Sequence, residues 1–160
     1  MDKNKHGFNR ADIAYIIYDF DGVMTNNKAI VDENGLESVI VNRGDGLAIS
    51  IIKEWGISQM IISTETNEVV QKRAQKLRID CLNAVSDKLS TLSEFLRNNS
   101  IDPTKVIYIG NDINDLEAMK IVGHPVAPAD AADEVKQIAS LIVDVNGGDG
   151  VIRRLLDYFD

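Results

Sequence analysis

Two aspartates, Asp19 and Asp21, stand two positions apart directly after the apolar run at residues 15–18. If the extended backbone of that run continues, both side chains point to the same side, and Gly22 permits a sharp turn after them. Two crowded carboxylates are costly unless a cation lies between them. The pair is therefore a candidate site for a divalent cation.

A second acidic group follows the apolar run at residues 106–109, in the sequence Gly-Asn-Asp-Ile-Asn-Asp. Its aspartates, Asp112 and Asp115, approach the first pair if the two runs form neighbouring strands. Clustered carboxylate oxygens suit Mg²⁺, which typically takes one or two carboxylates together with water and substrate phosphate oxygens. The two acidic groups together predict a magnesium site.

Two further polar residues stand at corresponding places along the chain. Ser63 follows the apolar run at residues 60–62 and offers a hydroxyl and a backbone N–H group to an anion. Lys88 opens a helical stretch, where surface charge is the commonest role of a lysine. Each signal alone is weak, but the four occur in order, each at the edge of a strand–helix unit. The combination predicts a catalytic site.

The elements that must position these residues alternate along the chain. Short apolar runs indicate buried strands, and between them the apolar residues recur with the helical period. The strand candidates are residues 15–18, 60–62, 106–109 and 141–143, with shorter ones at 79–84 and 125–127. Gly56 ends the first helix, Ser86 is the candidate N-cap of the third, and Gly150 precedes the last. This alternation predicts the α/β class, with a Rossmann-like, doubly wound parallel sheet and ligands at the carboxyl ends of its strands.

Residues 28–42 interrupt this alternation with two β-rich runs on either side of Asn34 and Gly35. Asn-Gly between such runs is a strong hairpin signal, so we expect a β-hairpin just after the first strand. Neither an internal repeat nor a linker composition divides the chain. The prediction is one domain over residues 1–160, with a loose N-terminus at 1–12.

Composition excludes several classes of function. The 25 acidic and 17 basic side chains give a net charge of −8, and no basic stripe is present, so nucleic acid is not an expected partner. No apolar stretch approaches the length of a membrane span, and the polar start of the chain indicates a cytoplasmic protein. The single cysteine, Cys81, lies in an apolar run and is expected to be a buried, unreactive thiol.

With these motifs in order, the chain resembles the haloacid dehalogenase superfamily of phosphatases from about Ile13 to Phe159. Within it, the chain looks like the small group without a cap domain. That group includes octulosonate 8-phosphate phosphatases, nonulosonate 9-phosphate phosphatases and the C-terminal domain of some acylneuraminate cytidylyltransferases. The closer likeness is carried by residues 19–25, the hairpin, and residues 43–46, 86–88, 126–131 and 146–153.

The resemblance implies roles for the central residues. Asp19 would be the nucleophile that forms an aspartyl-phosphate, and Asp21 would be the general acid and base. Mg²⁺ would be held by Asp19, Asp112 and the carbonyl oxygen of Asp21, and it would neutralise the developing charge.

The resemblance assigns supporting roles to three more residues. Ser63 and Lys88 would bind the phosphoryl oxygens of the substrate. Asp115 would support the site from behind, either through the metal or through Lys88.

The intervals between Asp21, Ser63 and Lys88 leave no room for a folded cap. In the resembling group a homotetramer excludes water instead, because hairpins associate and a segment of a neighbouring subunit covers the site. The candidates here are the hairpin and the glycine-rich segment at 147–150, from which Arg153 would reach a substrate carboxylate. The alternative is a solvent-exposed hairpin and a glycine loop that only caps a helix.

The residues after Ser63 bear on the substrate. Octulosonate phosphatases resemble one another in having Gly-Arg there, whereas this chain has Thr64 followed by Glu65, Thr66 and Asn67. That sequence looks like the phosphatases of nine-carbon 2-keto-3-deoxy acids, in which the glutamate and a lysine further along, here Lys76, contribute to the sugar site. A carboxylate accepts hydrogen bonds from sugar hydroxyls, and a lysine pairs with a substrate carboxylate.

The expected substrate is therefore a small sugar-acid phosphate, a nonulosonate 9-phosphate derived from KDN or sialic acid. Thr25 is also predicted to bind the substrate. One alternative is octulosonate 8-phosphate, and another, from a different class, is a non-catalytic oligomerisation module. Glu65 near a helix N-terminus and Lys76 on a solvated helix face are the structural alternatives for the two specificity residues.

Overall fold

A six-stranded parallel sheet and a separate two-stranded hairpin make up the β-structure of the computed structural model, which describes residues 7–160. The strands are β1 (Tyr15–Tyr18), β2 (Ile30–Val31), β3 (Glu37–Ser38), β4 (Ser58–Ile62), β5 (Asp80–Leu82), β6 (Val106–Ile109), β7 (His124–Pro128) and β8 (Leu141–Val143). The large sheet has the order β5-β4-β1-β6-β7-β8 with every pair parallel. All six predicted strands are therefore confirmed.

Six helices cover the two faces of this sheet: α1 (Arg43–Glu54), α2 (Val69–Leu77), α3 (Lys88–Asn98), α4 (Leu116–Lys120), α5 (Asp133–Ile138) and α6 (Val151–Leu155). Helices α1, α2 and α6 pack against one face, and α3, α4 and α5 pack against the other. Successive residues of β1 alternate between the two cores, so that Ile16 faces the first and Ile17 the second. Because both faces are covered, the central strands are apolar throughout. This confirms the predicted doubly wound α/β fold.

The helix ends follow the sequence signals with one correction. The Asn42 side chain caps α1 by accepting from the Gly44 N–H group, and Gly56 follows the helix with a φ of +80°. The N-cap of α3 is Asp87 and not the predicted Ser86, because the Asp87 carboxylate accepts from the Ser90 N–H group.

The hairpin is antiparallel as predicted, with Ile30 opposite Ser38 and Val31 opposite Glu37. Its turn is closed by the Asp32 carboxylate, and Gly35 within it has a φ of +78°. Four apolar side chains in this segment are largely exposed: Ile30, Val31, Leu36 and Ile40. The hairpin therefore carries an apolar surface that the described residues of this chain do not cover.

The start of the described chain is not loose, which differs from the prediction for residues 1–12. Phe8 is buried against Phe159 and His124, and a 3₁₀ turn spans Arg10–Asp12. The reason is that Phe8 pairs in parallel with Phe159 near the C-terminus, a contact between distant parts of the sequence. Residues 1–6 lie outside the described part of the chain. Among the helices described, none is both long and apolar enough to cross a membrane.

Candidate active site

The site lies at the carboxyl ends of three adjacent strands. Strand β1 pairs with β4 on one side and β6 on the other, so the segments that follow these strands converge. They enclose a cleft of about 230 Å³, lined by Asp19, Asp21, Asn27, Ser63, Thr64, Asn111, Asp112 and Asn114. The predicted neighbour relation between the two acidic groups is therefore confirmed.

Asp19 lies at the bottom of this cleft, in an ion-pair network with Lys88 and Asp115. Lys88 Nζ is 2.9 Å from Asp19 Oδ1 and 2.6 Å from Asp115 Oδ1. All three residues are buried, and the Phe20 N–H group also donates to Asp19 Oδ1 at 2.8 Å. Lys88 is thus the first residue of α3 but not a surface charge, because the helix begins directly above the carboxylates.

The charges in this network do not balance. Two ionised carboxylates and one ammonium leave one excess negative charge in a buried site. Burial and the neighbouring Asp115 carboxylate raise the pKa of Asp19, while the Lys88 ammonium opposes that rise. A cation at the mouth of the cleft would remove the imbalance.

Asp115 supports the site from behind and does not line the cleft. It is fully buried, and its Oδ1 accepts from the Tyr108 hydroxyl at 2.9 Å as well as from Lys88. Its Oδ2 accepts from the N–H groups of Asn111 at 3.0 Å and Asp112 at 3.3 Å. Of the two predicted routes of support, the structure therefore favours the one through Lys88.

The Asn111 side chain contacts two of the predicted metal ligands. In the orientation that satisfies its hydrogen bonds, its amide nitrogen donates to Asp19 Oδ2 and to the Asp21 carbonyl oxygen, both at 2.9 Å. Asp112 is exposed at the rim of the cleft, and its Oδ1 accepts from the Ile113 N–H group. The turn after β6 thus directs the Asn111 amide towards these two oxygens, while Asp112, the predicted ligand, lines the same cleft.

The donor set nevertheless fits Mg²⁺. Asp19 Oδ2 and the Asp21 carbonyl oxygen face one point, and a reversed Asn111 amide would present its own oxygen there. Within residues 7–160 no group of three or more His, Cys, Asp or Glu side chains forms a metal site. One carboxylate with carbonyl oxygens is typical of Mg²⁺, which keeps several waters and takes phosphate oxygens from the substrate.

Asp21 is half-buried and lies at the side of the cleft. The Thr25 hydroxyl, 3.4 Å from Asp21 Oδ1, holds the carboxylate and also accepts from the Gly22 and Asn27 N–H groups. Burial raises the pKa of Asp21, as does the nearby Glu65 carboxylate, while the hydrogen bond from Thr25 lowers it. The net direction is upward, which favours the protonated form that a general acid needs.

Thr25 itself does not fit the predicted substrate contact. Its side chain is fully buried, and its hydroxyl is already bonded to three groups of its own loop. Its role in the structure is to shape the turn that carries Asp21.

Ser63 lines the cleft with its hydroxyl, as predicted. Its backbone N–H group, in contrast, donates to the Leu82 carbonyl oxygen at 2.9 Å and is not directed at an anion. The reason is that Leu82 belongs to β5, whose pairing with β4 continues for one residue beyond the strand. The hydroxyl also accepts from the Glu65 N–H group at 3.1 Å.

Glu65 lies beside a second cleft of about 250 Å³, which shares Asp21 and Asn27 with the first. Its lining residues are Asp21, Asn27, Lys28, Ala29, Glu37, Val39, Glu65 and Val69. Asn67 instead serves α2, because its side chain accepts from the Val69 N–H group, and its own N–H group donates to Glu65 Oε1. Thr66 is exposed and lines neither cleft.

Lys76 and Arg153 lie away from both clefts. Lys76 is exposed in the last turn of α2, beside a separate cleft that also contains Arg43, Arg73 and Arg78. Arg153 is exposed on α6, with its side chain next to Gly44. Within one chain the structure therefore does not place Lys76 with Glu65 or bring Arg153 to the aspartates.

Some residues of the site were not predicted from the sequence. Asn111 stands in the very motif from which Asp112 and Asp115 were selected, and its amide could have been recognised as a possible oxygen ligand. Asn27 and Asn114 line the cleft but carry no pattern in the sequence. Tyr108 lies inside an apolar strand, where nothing distinguishes its buried hydroxyl from core packing.

Comparison with known proteins identifies the family to which this chain belongs. Residues 8–155 match the family of haloacid dehalogenase-like hydrolases. The chain is 33% identical over 148 residues to 3-deoxy-D-manno-octulosonate 8-phosphate phosphatase of Yersinia pestis, covering 92% of this chain and 79% of that protein.

Solved structures share the fold closely. A protein of Streptomyces avermitilis, described as a HAD family hydrolase, superimposes with a TM-score of 0.94 at 39% identity, covering 98% of this chain and 90% of that one. The 3-deoxy-D-manno-octulosonate 8-phosphate phosphatase of Moraxella catarrhalis, solved with magnesium, phosphate and KDO, gives 0.88 at 25% identity, covering 94% and 89%. The chain therefore belongs to the haloacid dehalogenase-like hydrolases, and it is a phosphoric monoester hydrolase.

Proposed function

We propose that this protein is a Mg²⁺-dependent phosphatase that hydrolyses the phosphate monoester of a 2-keto-3-deoxy sugar acid. The observation that carries the proposal is the pair of aspartates in one cleft, held in different environments. Asp19 is buried against the Lys88 ammonium, whereas Asp21 is half-buried beside the Thr25 hydroxyl, and burial raises the pKa of both carboxyl groups. Two carboxylates with such different surroundings suit a nucleophile and a general acid.

The aspartates divide the reaction between them. An Asp19 carboxylate oxygen forms a bond to phosphorus while the bond from phosphorus to the sugar oxygen breaks, and Asp21 donates its proton to that oxygen. Water then attacks the aspartyl-phosphate and gives a proton to the Asp21 carboxylate, which restores both side chains and releases phosphate. The Lys88 ammonium, which adjoins Asp19, and the Ser63 hydroxyl would bind phosphoryl oxygens.

Asp19, the Asp21 carbonyl oxygen and Asn111 would hold the Mg²⁺ ion. When bound, the ion neutralises charge on the phosphoryl group and on Asp19. Asp112, which lines the same cleft, is the alternative ligand that the sequence predicts.

The second cleft is suited to the sugar, because it adjoins Asp21 and is lined mainly by polar side chains. Glu65 in this cleft supports a nine-carbon acid, a nonulosonate 9-phosphate. The eight-carbon alternative, octulosonate 8-phosphate, is supported by the names of the Y. pestis and M. catarrhalis proteins. A non-catalytic oligomerisation module is not supported, because both aspartates, Lys88 and the family assignment indicate an enzyme.

We also propose that the chain assembles as a homotetramer. The open clefts need cover to exclude water, and the exposed apolar side chains of the hairpin adjoin the second cleft through Ala29, Glu37 and Val39. A neighbouring subunit packed on the hairpin would both bury this surface and close the sugar cleft.

The direct test is phosphate release in the presence of Mg²⁺ from a nonulosonate 9-phosphate, octulosonate 8-phosphate and an aryl phosphate, with Asp19→Asn as the control. Preference for a sugar acid that disappears in the variant supports the proposed reaction. Preference for the eight-carbon acid keeps the mechanism and rejects the role of Glu65. If the parent turns over none of the three substrates, the proposed function is wrong.

A further inference from the structure

A glycine-rich loop between β8 and α6, residues 146–150, packs directly on the turn that carries Asp21. We call these segments the glycine loop and the Asp21 turn (residues 20–25). The Gly148 N–H group donates to the Val23 carbonyl oxygen at 3.1 Å. A Cβ atom on Gly147 would lie 2.1 Å from the Gly22 carbonyl oxygen, and one on Gly148 would lie 2.6 Å from the Asn26 nitrogen. The two backbones are therefore in contact with no side chain between them.

The glycine loop is held at both ends by other parts of the chain. At its start, the Gly147 N–H group donates to Asp130 Oδ1 at 2.8 Å. Just after it, the Arg153 N–H group donates to the buried Asp45 Oδ1 at 2.9 Å, which ties α6 to α1. A loop anchored on two independent elements can resist displacement of whatever lies against it.

The Asp21 turn depends on such support. Its backbone is closed by N–H groups of Val23, Met24 and Thr25 that all approach the Phe20 carbonyl oxygen. The only side-chain hydrogen bond of the Asp21 carboxylate within the described residues is the long one from Thr25, and the carboxylate otherwise faces the clefts. The orientation of Asp21 is therefore set by the position of the turn.

We propose that the glycine loop braces the Asp21 turn and so fixes Asp21 in position to protonate the leaving group, with Gly147 and Asp130 as positioning residues. The inference rests on the proposed function, since it requires Asp21 to act as general acid. It also explains why residue 147 is a glycine. The backbone of Gly147 is not left-handed, so the reason for lacking a side chain is its close approach to the Gly22 carbonyl oxygen.

A displaced general acid has a distinctive kinetic effect. A misplacement of about 1 Å can cost about 100-fold in rate. The loss applies only where the leaving oxygen needs a proton, as in an alkyl phosphate of the sugar type. The 2,4-dinitrophenolate anion leaves without protonation, and kcat/KM covers only the steps through release of the leaving group. For 2,4-dinitrophenyl phosphate kcat/KM therefore reports on Asp19, Lys88 and the metal site, and not on proton donation by Asp21.

The experiment compares kcat/KM for an alkyl phosphate, the preferred sugar-acid phosphate, with kcat/KM for 2,4-dinitrophenyl phosphate. Gly147→Ala pushes directly on the Gly22 carbonyl oxygen, and we expect its alkyl-to-aryl ratio to fall about 10–100-fold. Asp21→Asn should show the same pattern, whereas Asp19→Asn should lose both activities.

The matched control is Gly123→Ala. A Cβ there would lie 2.2 Å from the Thr104 carbonyl oxygen, a backbone clash of the same severity, but at the amino ends of β6 and β7, opposite the carboxyl ends that form the site, and also without a left-handed φ. We expect it to lower the melting temperature while leaving the alkyl-to-aryl ratio within about twofold of the parent. Asp130→Ala removes the anchor without adding bulk, so it tests the brace even if Gly147→Ala does not fold. We expect it to lower the alkyl-to-aryl ratio by a smaller factor, about 3–10-fold.

The outcomes separate the two proposals. If the parent is active on both substrates and the ratio is unchanged in Gly147→Ala and Asp130→Ala, the brace is rejected and the proposed function stands. An equal loss on both substrates also rejects the brace, because that is the result of general destabilisation. If the parent hydrolyses neither substrate, the proposed function is wrong, and this inference, which rests on it, is rejected as well.

Discussion

Burial gives the ion pairs of Lys88 an energetic importance that a surface lysine does not have. Its ammonium group lies between Asp19 and Asp115 with almost no exposure, so the ion pairs cannot be replaced by water. Removing one partner of such a network leaves a buried charge without compensation, which costs far more than the loss of a surface ion pair.

We therefore expect Lys88→Met to destabilise the protein by about 3–5 kcal/mol and to abolish turnover. Urea denaturation of parent and variant measures the first effect, and phosphate release measures the second. Lys120→Met is the control, since its pair with Glu117 is exposed, and it should change stability by less than about 1 kcal/mol. Similar losses for the two variants would contradict this account of the site.

The side chains of Asn111 and Asp112 are placed differently relative to the proposed metal site. The amide of Asn111 faces Asp19 and the Asp21 carbonyl oxygen, while the Asp112 carboxylate is exposed and bonded to its own turn. We expect Asn111→Ala to weaken the binding of Mn²⁺, used as a paramagnetic substitute for Mg²⁺, at least about 10-fold, and Asp112→Asn to weaken it less. Titration followed by electron paramagnetic resonance gives both affinities. If Asp112→Asn has the larger effect, the ligand set predicted from the sequence is the right one.

At the scale of elements, a buried carboxylate joins two helices. Asp45, in the first turn of α1, accepts from the Arg153 N–H group at the start of α6, while its Oδ2 has no hydrogen-bond partner among residues 7–160. Burial raises the pKa of Asp45 to about 6, against the lowering influence of the backbone hydrogen bonds and of Arg73. The fold therefore favours the protonated carboxyl group, because burying its charge costs more than these interactions contribute.

The sign of the pH dependence follows from this shift. A carboxyl group whose pKa is higher in the folded than in the unfolded state contributes stability below the unfolded value, and that contribution is lost as the pH rises through about 6. Asp45→Asn does not titrate, so its stability relative to the parent should increase by about 2 kcal/mol between pH 4 and pH 7. Urea denaturation of both proteins at the two pH values measures the difference. A difference that does not change with pH would show that the fold does not raise the pKa of Asp45.

Helix α2 separates Glu65 from Lys76 within one chain. Glu65 precedes the helix at the end of β4, whereas Lys76 lies in its last turn, and the helix carries the lysine away from the cleft. A matched spacing therefore does not by itself bring two residues together within one chain.

At the scale of the whole molecule, the sheet order brings the functional residues together. Strand β1 is central, and the chain reaches β4 and β6 on either side of it through helical crossovers on opposite faces. Ligand sites in doubly wound sheets occur where strands on either side of such a reversal end. The hairpin is the one part of the described chain that projects from this arrangement with a largely apolar exposed surface.

Assembly through the hairpin can be tested by its apolar side chains. We expect the parent to sediment as a tetramer and the double variant Ile30→Glu/Ile40→Glu to sediment as a smaller species, because charges in a buried apolar contact are unfavourable. Sedimentation equilibrium measures both. Ile142→Glu is the control, since Ile142 is exposed on the edge strand β8 and away from the hairpin, and it should leave the mass unchanged. A parent that is monomeric would reject the proposed assembly.

The amino-acid sequence by itself determined the strands, their alternation with helices, the hairpin and the positions of Asp19, Asp21, Ser63 and Asp115, because apolar periodicity and turn residues act over short distances. Tertiary structure alone decided which side chains meet. Within one chain it directed the Asn111 amide towards Asp19 and the Asp21 carbonyl oxygen, buried Lys88 between two carboxylates, placed Lys76 away from the sugar cleft and set the glycine loop against the Asp21 turn. These outcomes depend on loop conformation and on contacts between segments far apart in the chain, and neither leaves a periodic pattern in the sequence.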